Sequence, residues 1–412
     1  MNPDLNQFEP RIAIYVGKGS SHSWLWFMQL CESHQFYNLD FLQETDISNQ
    51  DLKRYNAIII SGGETFEIAK ALGIQGARSL RSGIENGTTY IGSCAGAYLP
   101  MYSSKEPLHY FNFAPVAITN LIKHLPQIHS MRHKSYACYG CRFIFHPVRE
   151  EVLLEGTPDA GHKQKQLLTA PLYGGPGMVP REGCQTLFRY KGFTARTHFL
   201  VDQDLAEQTL LGKAAAVRCQ LGQGSMYLMG PHFEHPGYAK ANNFLAGCIH
   251  NSTLGAKTER HDTGVGCIGS NPGNDEAIKE LKRNLSNSRI MASGLEQHNM
   301  FWRLGQKAVE PEKIRVFLEA LWRRMLDLER LPFFAAEMKY ALAEKARLVT
   351  LILRELKNAL QEEQDTQPIA ERLFQLLPSL AAQFLDMYFQ SLSFIRSEQA
   401  SKGSSCSITA KT

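Results

Sequence analysis

The sequence predicts an α/β doubly wound, mostly parallel sheet followed by an all-α C-terminal domain. Three observations lead there. Short β-branched apolar runs punctuated by glycine fill the chain up to residue 252. These runs do not alternate with polar residues, which is the pattern of strands buried on both faces. Helical stretches fall between them, and strand–helix alternation builds a sheet covered by helices. Beyond residue 273 the strand signal gives way to helical periodicity.

The predicted strands are Arg11 to Gly17, Ala57 to Gly63 and Thr88 to Cys94, with helices over Glu64–Leu72 and Arg78–Glu85 between the second and third. Further strands are expected over Leu167–Gly174, Gln185–Lys191, Ala214–Leu221 and Gly224–Met229. Gly222-Gln-Gly224 between the last two reads as a hairpin turn. Residues 253–273 are polar and glycine-rich, as a linker is. A helical domain over 274–398 follows. Ile314, Phe317, Leu318, Leu321, Met325 and Leu328 recur on one helical face, with Pro311 at a first helical position. A second helix is expected after Leu331-Pro332, ending near Gln364. A third runs from Pro368 to about Glu398, bent at Pro378. Residues 399–412 are serine-rich and are expected to be a disordered tail.

Bulk composition narrows the function classes. A chain of 412 residues holds two or three domains, and an apolar share of 43% supports a sizeable core. With 44 basic and 40 acidic residues the net charge is +4, which makes no electrostatic case for nucleic acid or an anionic membrane. The nine cysteines are odd in number and irregularly spaced, and read as mostly reduced thiols of an intracellular protein. No secretory signal stands at the N-terminus, and no apolar run approaches the roughly 20 residues that span a bilayer. The expectation is a soluble cytoplasmic protein.

The chemistry concentrates in Thr89-Tyr-Ile-Gly-Ser-Cys-Ala-Gly-Ala-Tyr-Leu99. A buried strand runs straight into Cys94, and small residues follow where a helix must begin. A nucleophile on so sharp a strand-to-helix turn needs small neighbours. The turn puts the thiol at the carboxyl end of the sheet, and the helix N-terminus beneath it favours thiolate. The competing reading is a small buried core cysteine. Two further features weigh against it. In Gly230-Pro-His-Phe-Glu-His-Pro236, His232 and Glu234 are two apart, so in extended chain they face one side. Glu234 then orients the imidazole that takes the thiol proton. In Ser61-Gly-Gly-Glu64, glycines at a strand end let backbone N–H groups approach an oxyanion, with the Ala95 N–H as second donor.

Taken together these residues resemble a class I glutamine amidotransferase domain, in the chain order oxyanion Gly-Gly, nucleophile Cys, then His-x-Glu. Tyr15-Val-Gly-Lys-Gly-Ser20, Gly92-Ser-Cys-Ala-Gly-Ala-Tyr98, Pro171-Leu-Tyr-Gly-Gly-Pro-Gly177 and Lys213 through Glu234 sharpen the likeness. They resemble the N-terminal domain of biotin–protein ligases and its bacterial relatives, over roughly residues 11 to 250. The resemblance implies a flavodoxin-like sheet over 1–252. It implies Cys94 as nucleophile, His232 as base and Glu234 as orienter, with Gly63 and Ala95 forming the oxyanion hole. It also implies Gly62, Tyr98, Tyr173, Gly174 and Gly175 along the substrate pocket. His232-Phe-Glu234 stands where His-Pro-Glu is usual. No Gly-Arg-Gly-Arg-type adenylate loop is present, so the chain is not a biotin ligase, and no synthetase domain follows to receive ammonia.

Other signals carry less. His129, His133, Cys138 and Cys141 have zinc-compatible spacing inside a histidine-rich region and weigh more as free thiols and surface histidines. Gly17-Lys-Gly-Ser-Ser-His22 lacks P-loop spacing; it is expected at the site mouth with His22 near substrate, and His235 at the rim. Trp24, Trp26, Trp302 and Trp322 read as packing residues, and Glu344, Lys345 and Arg347 as a solvated helical face.

The reading is a hydrolase or amidotransferase-like enzyme attacking a carboxamide or acyl carbon of a small amide or peptide-like substrate, with no cofactor and no metal. The rival is a non-catalytic module that keeps the fold, its helical domain contacting a protein partner. A peptidase of the same fold is the third alternative.

Overall fold

The computed structural model describes residues 10–125, 143–158, 166–253, 276–305, 307–328 and 336–406. The chain divides into two compact units. The first comprises residues up to Phe36, Leu42–Lys257 and Arg303–Ala308; the second comprises Tyr37–Phe41, Thr258–Trp302 and Val309 onward.

The first unit is the α/β unit expected from the sequence. Strand β1 (Ile12–Tyr15) leads to helix α1 (Trp24–Ser33) and then to β2 (Leu39–Leu42), most of which is counted with the second unit. Helix α2 (Glu44–Asn49), β3 (Ala57–Ile60), α3 (Thr65–Glu85), β4 (Thr89–Ser93) and the short α4 (Ala95–Tyr98) follow. Then come β5 (Val116–Ile118), β6 (Val148–Gly156), β7 (Leu167–Leu172), β8 (Met178–Pro180) and β9 (Cys184–Phe199). Helix α5 (Gln203–Leu210), β10 (Ala214–Leu221), β11 (Gly224–Met229) and α6 (Ala239–Asn251) complete this stretch.

Within this unit the strand order runs β1-β3-β4-β11-β10-β9-β6-β7. Strands β1, β3, β4 and β11 pair in parallel. Their residues are almost wholly buried, as unbroken apolar runs require when helices cover both faces. The sheet then continues as an antiparallel wing. The Gly222-Gln223 turn joins β10 to β11 as expected, with Leu221 opposite Gly224. The wing's long strands β6 and β9 exceed what the sequence suggested, because their mixed apolar and polar residues give no continuous run. The two helices predicted between β3 and β4 form one span kinked at Gly73, whose φ is 57°. Glu64 caps that span by accepting the Phe66 and Glu67 N–H groups.

The expectation of largely reduced cysteines is corrected at one pair. Register sets Cys184 of β9 directly opposite Cys219 of β10, and the two are joined in a disulfide. Their separation of 35 residues hides the pairing from sequence inspection. Cys31, Cys94 and Cys248 are free and buried.

The second unit is helical. It contains α7 (Glu276–Leu295), α8 (Glu312–Leu328), α9 (Ala336–Gln361) and α10 (Gln367–Cys406), while the short strands β12 (Trp302–Leu304) and β13 (Lys307–Val309) fall mostly in the first unit. The face predicted on α8 is buried at each of Ile314, Phe317, Leu318, Leu321, Met325 and Leu328. Ser288 meets Thr350 at 2.9 Å, and the buried Trp302 indole N–H donates to Thr366 at 2.9 Å. Lys345 is corrected from a solvated position: it donates to Ser379 and Gln383 of α10 at 3.1 and 2.9 Å. Helix α10 carries Pro378 inside it and runs past Glu398, where it was expected to end. Helix α7 and the β12–β13 strands had no sequence assignment.

Among the described residues no helix is long and apolar enough to cross a membrane. His129, His133, Cys138 and Cys141 lie outside the described residues.

Candidate active site

The site is built where β4 ends. Cys94 has φ 51° and ψ −105°, a conformation that L-residues rarely adopt and that is held here by its surroundings. Its N–H donates to the Met229 carbonyl of β11 at 2.9 Å, and its own carbonyl accepts from Ala97 and Tyr98. Gly96 packs so closely on the Ile60 carbonyl that a β-carbon has no room there. This explains the run of small residues after the cysteine.

His232 and Glu234 follow β11 immediately, so the parallel β4–β11 pairing brings them to the thiol. His232 Nδ1 lies 2.6 Å from Glu234 Oε1, and the imidazole is near enough to the Cys94 thiol to shift it. His232 is 3% exposed and Glu234 fully buried, so water does not screen the pair. Ser93 donates to both Glu234 oxygens at 3.0 Å. The His232 backbone N–H is fixed on the Pro171 carbonyl at 2.8 Å.

The electrostatics favour charge separation. Burial alone pushes the Cys94 thiol up, but the hydrogen bond and charge of His232, with the charge of Lys307, bring its pKa below the ordinary value. Burial pushes His232 down. Glu234's charge and the bonds to Cys94 and Glu234 override it and raise the imidazole to about 10. Both shifts favour thiolate beside imidazolium over the neutral pair.

The cleft in front of Cys94 is narrow, with a free volume of about 20 Å³. Gly63, Glu64, Thr65, Ala95, Tyr98, Tyr173 and Gly174 border it, with Ile144, His146 and Lys307. Gly63 and Ala95 both line this cleft, and no acceptor for either backbone N–H is found among the described residues. Tyr98 donates to the Gly174 carbonyl at 3.1 Å and receives the Asn120 amide at 2.8 Å. The Tyr173 carbonyl is 3.9 Å from Cys94 Sγ. Gly62 and Gly175 stand behind the cleft instead of along it. Gly62 abuts the His232 ring, where a β-carbon would come within 2.7 Å of Cε1; Gly175 abuts the Gly230 carbonyl.

Sequence inspection overlooked several of these residues. Ser93 is adjacent to Cys94, and its contact is legible only once Glu234 is placed. Trp26, read as packing, sets its ring edge-on to His232 at 5.4 Å and against His235 and His22 at 4.6 and 4.9 Å. His146 and Lys307 sit in segments with no local motif.

A sequence profile of peptidase family S51 matches residues 26–107, which include Cys94 and end before His232. A protein of the GMP synthase type from Thermoplasma acidophilum aligns at 10% identity and a TM-score of 0.37, covering 59% of this chain and 94% of its own. A glutamine amidotransferase of Thermotoga maritima aligns at 10% identity and a TM-score of 0.33, covering 59% and 86%. The β-galactosidase Gan42B aligns at 10% identity and 0.36, and the chain spans about a third of that protein's length. No curated protein is similar enough to the chain to count as a relative. The likeness to biotin–protein ligases rests on the sequence motifs alone.

Proposed function

We propose that the chain is a cysteine-dependent hydrolase or amidotransferase of the class I amidotransferase type, acting through Cys94, His232 and Glu234. The observation that carries this is the buried His232–Glu234 pair set beside the Cys94 thiol, on a residue held at positive φ. A scaffold has no need to keep a strained cysteine beside an imidazolium.

Cys94 sulfur attacks the carbonyl carbon of an amide, and the π-electron pair moves onto oxygen. The Gly63 and Ala95 N–H groups hold that oxyanion. The intermediate collapses as His232 gives its proton to the departing amine, leaving a thioester. Water then attacks while His232 takes its proton, and the carboxylic acid leaves as Cys94 regains its thiolate. Glu234 keeps the imidazole in the orientation both steps use. No metal or organic cofactor enters these steps. The motif resemblance to the biotin–protein ligase N-terminal domain is compatible with this chemistry.

The profile match over residues 26–107 carries the word peptidase, and it favours a peptide bond as an alternative to a side-chain carboxamide. The two readings separate by substrate. Glutamine and a panel of short peptides are incubated with the protein, and release of ammonia or amino acids is followed, with Cys94→Ala as control. Selective, stoichiometric alkylation of Cys94 by iodoacetamide at neutral pH is expected. Slow alkylation no faster than that of Cys31 and Cys248 overturns the reading and leaves a binding module.

A further inference from the structure

The loop Gly17–His22 takes no part in the steps above, yet it is built against the segment that supplies Gly63. It follows β1 and pairs with the chain just beyond β3 through one antiparallel bridge, Ser20 opposite Gly63. The Ser21 N–H donates to the Gly62 carbonyl at 2.9 Å, and the Glu64 N–H donates to the Gly19 carbonyl at 2.8 Å. Both bonds come from residues that flank the opposed pair. In an antiparallel pair bonded this way, the two opposed residues turn their own N–H and C=O groups away from each other. The Gly63 N–H therefore points away from the loop.

The sheet order says what lies on that other side. Strand β3 has β1 on one flank and β4 on the other, so a group turned from the loop after β1 faces the turn after β4, which carries Cys94. The alternation along the segment agrees. The Ser61 carbonyl, two residues before Gly63, accepts the Gly96 N–H of that turn at 3.1 Å. The Thr65 hydroxyl, two residues after Gly63, donates to the Ala95 carbonyl at 3.3 Å. The segment is thus tied to the nucleophile turn on both sides of Gly63, and to the Gly17–His22 loop at Gly62 and Glu64.

The loop is itself held firmly. The Tyr15 hydroxyl donates to the Lys18 carbonyl at 2.8 Å, the Ser20 hydroxyl to the Gly17 carbonyl at 2.6 Å, and the Lys18 N–H to the Glu44 carboxylate at 3.2 Å. Gly19 has φ 85°, and a β-carbon there would come within 2.5 Å of the Ile68 nitrogen in the first turn of α3. A β-carbon on Gly63 would strike the Gly19 carbonyl. Glycine at both places lets the two backbones touch.

We propose that Gly19 is a positioning residue: through its carbonyl and the Ser20–Gly63 bridge, the Gly17–His22 loop aims the Gly63 N–H into the cleft as an oxyanion donor. This rests on the reading of Cys94 as the nucleophile and gives a part in the reaction to a loop that does not touch the thiol. The second donor, Ala95, is aimed separately by the backbone of Cys94. Disturbing the loop therefore removes one oxyanion donor and leaves the thiolate as it was.

The test compares two reactions of Cys94 in the full chain. With p-nitrophenyl acetate the sulfur bonds to the acetyl carbon through an oxyanion, the carbon–oxygen bond breaks, and nitrophenolate leaves with the electron pair and is read by absorbance. With iodoacetamide the sulfur displaces iodide at a saturated carbon and no oxyanion forms. Gly19→Ala is expected to slow the nitrophenolate burst by about 10- to 100-fold while alkylation stays within about twofold. Ser20→Ala deletes only the side-chain bond to the Gly17 carbonyl and is expected to slow the burst alone, by about three- to tenfold. A burst in folded Gly19→Ala as fast as in the wild type overturns the proposal. So does an equal fall in both reactions, which makes the loop a general support of the site. Should Gly19→Ala fail to fold, Ser20→Ala decides: an unchanged ratio of the two rates overturns it. A wild type that releases nitrophenolate no faster than Cys94→Ala instead removes the nucleophile reading on which this one stands.

Discussion

Replacing Glu234 by Gln removes one charge from the buried line and changes almost nothing in shape. Glu234 Oε1 lies 2.6 Å from His232 Nδ1, with both groups shielded from solvent. The rise of the His232 pKa from 6.5 to about 10 corresponds to about 5 kcal/mol in favour of imidazolium, with the charge of Glu234 its largest favourable cause. Two unit charges about 4 Å apart at an effective dielectric near 20 attract by about 4 kcal/mol, so the two magnitudes agree. Without the carboxylate, burial dominates and the imidazole becomes neutral at pH 7. The Cys94 thiol then loses the cation that lowers its pKa and returns toward or above the ordinary thiol range. The thiolate–imidazolium state is expected to weaken by about 3–5 kcal/mol. At pH 7 this appears as a fall of about 100- to 5,000-fold in iodoacetamide alkylation of Cys94. The assay is the alkylation rate across pH, read by mass spectrometry of the Cys94 peptide. In the wild type the rate holds through neutral pH and drops only as acid protonates the thiolate, below the ordinary thiol pKa. In Glu234→Gln it climbs only toward alkaline pH. Coincident profiles, with both proteins folded by circular dichroism, refute the claim that Glu234 holds His232 as the cation.

Three further outcomes follow from the same geometry. Ser93→Ala removes both hydrogen bonds to the Glu234 carboxylate and is expected to cost about 1–3 kcal/mol of stability, read from the urea midpoint. Gly62→Ala places a β-carbon 2.7 Å from His232 Cε1 and 2.9 Å from Ser23 Oγ; displacing the ring lowers Cys94 alkylation at neutral pH by about tenfold or more, with unchanged far-ultraviolet dichroism. Peptide mapping without reductant is expected to recover Cys184 and Cys219 as one linked fragment. Their double replacement by serine is expected to lower the unfolding free energy by about 2–4 kcal/mol in urea titration.

The parallel core was legible because its strands are unbroken apolar runs ending in glycine or small residues. Ala57–Ile60 and Thr89–Ser93 needed no tertiary information. The hairpin at Gly222 was legible for the reason turns usually are: glycine and a polar residue interrupt two strands. Strands β6 and β9 were harder, because partly exposed antiparallel strands mix Arg, Glu and Thr into their runs. Cys94, His232 and Glu234 stood out because each immediately follows a recognisable strand, so local sequence fixes where each side chain starts. Their meeting depends only on β4 and β11 being neighbours. Lys307 and His146 have no such anchor. They reach the cleft through the path of the chain, and nothing within a few residues of either records that path. The Cys184–Cys219 bond is hidden for the same reason: register, which no short window contains, makes the two residues opposite.

The return of Arg303–Ala308 to the first unit bears on how this protein is dissected. A fragment ended after α6 retains Cys94, His232 and Glu234 with the strands that hold them. It lacks the Lys307 ammonium at the cleft wall, whose charge helps to lower the Cys94 thiol. Measurements of thiol reactivity therefore belong to the uncut polypeptide, however independent its α/β portion looks on paper.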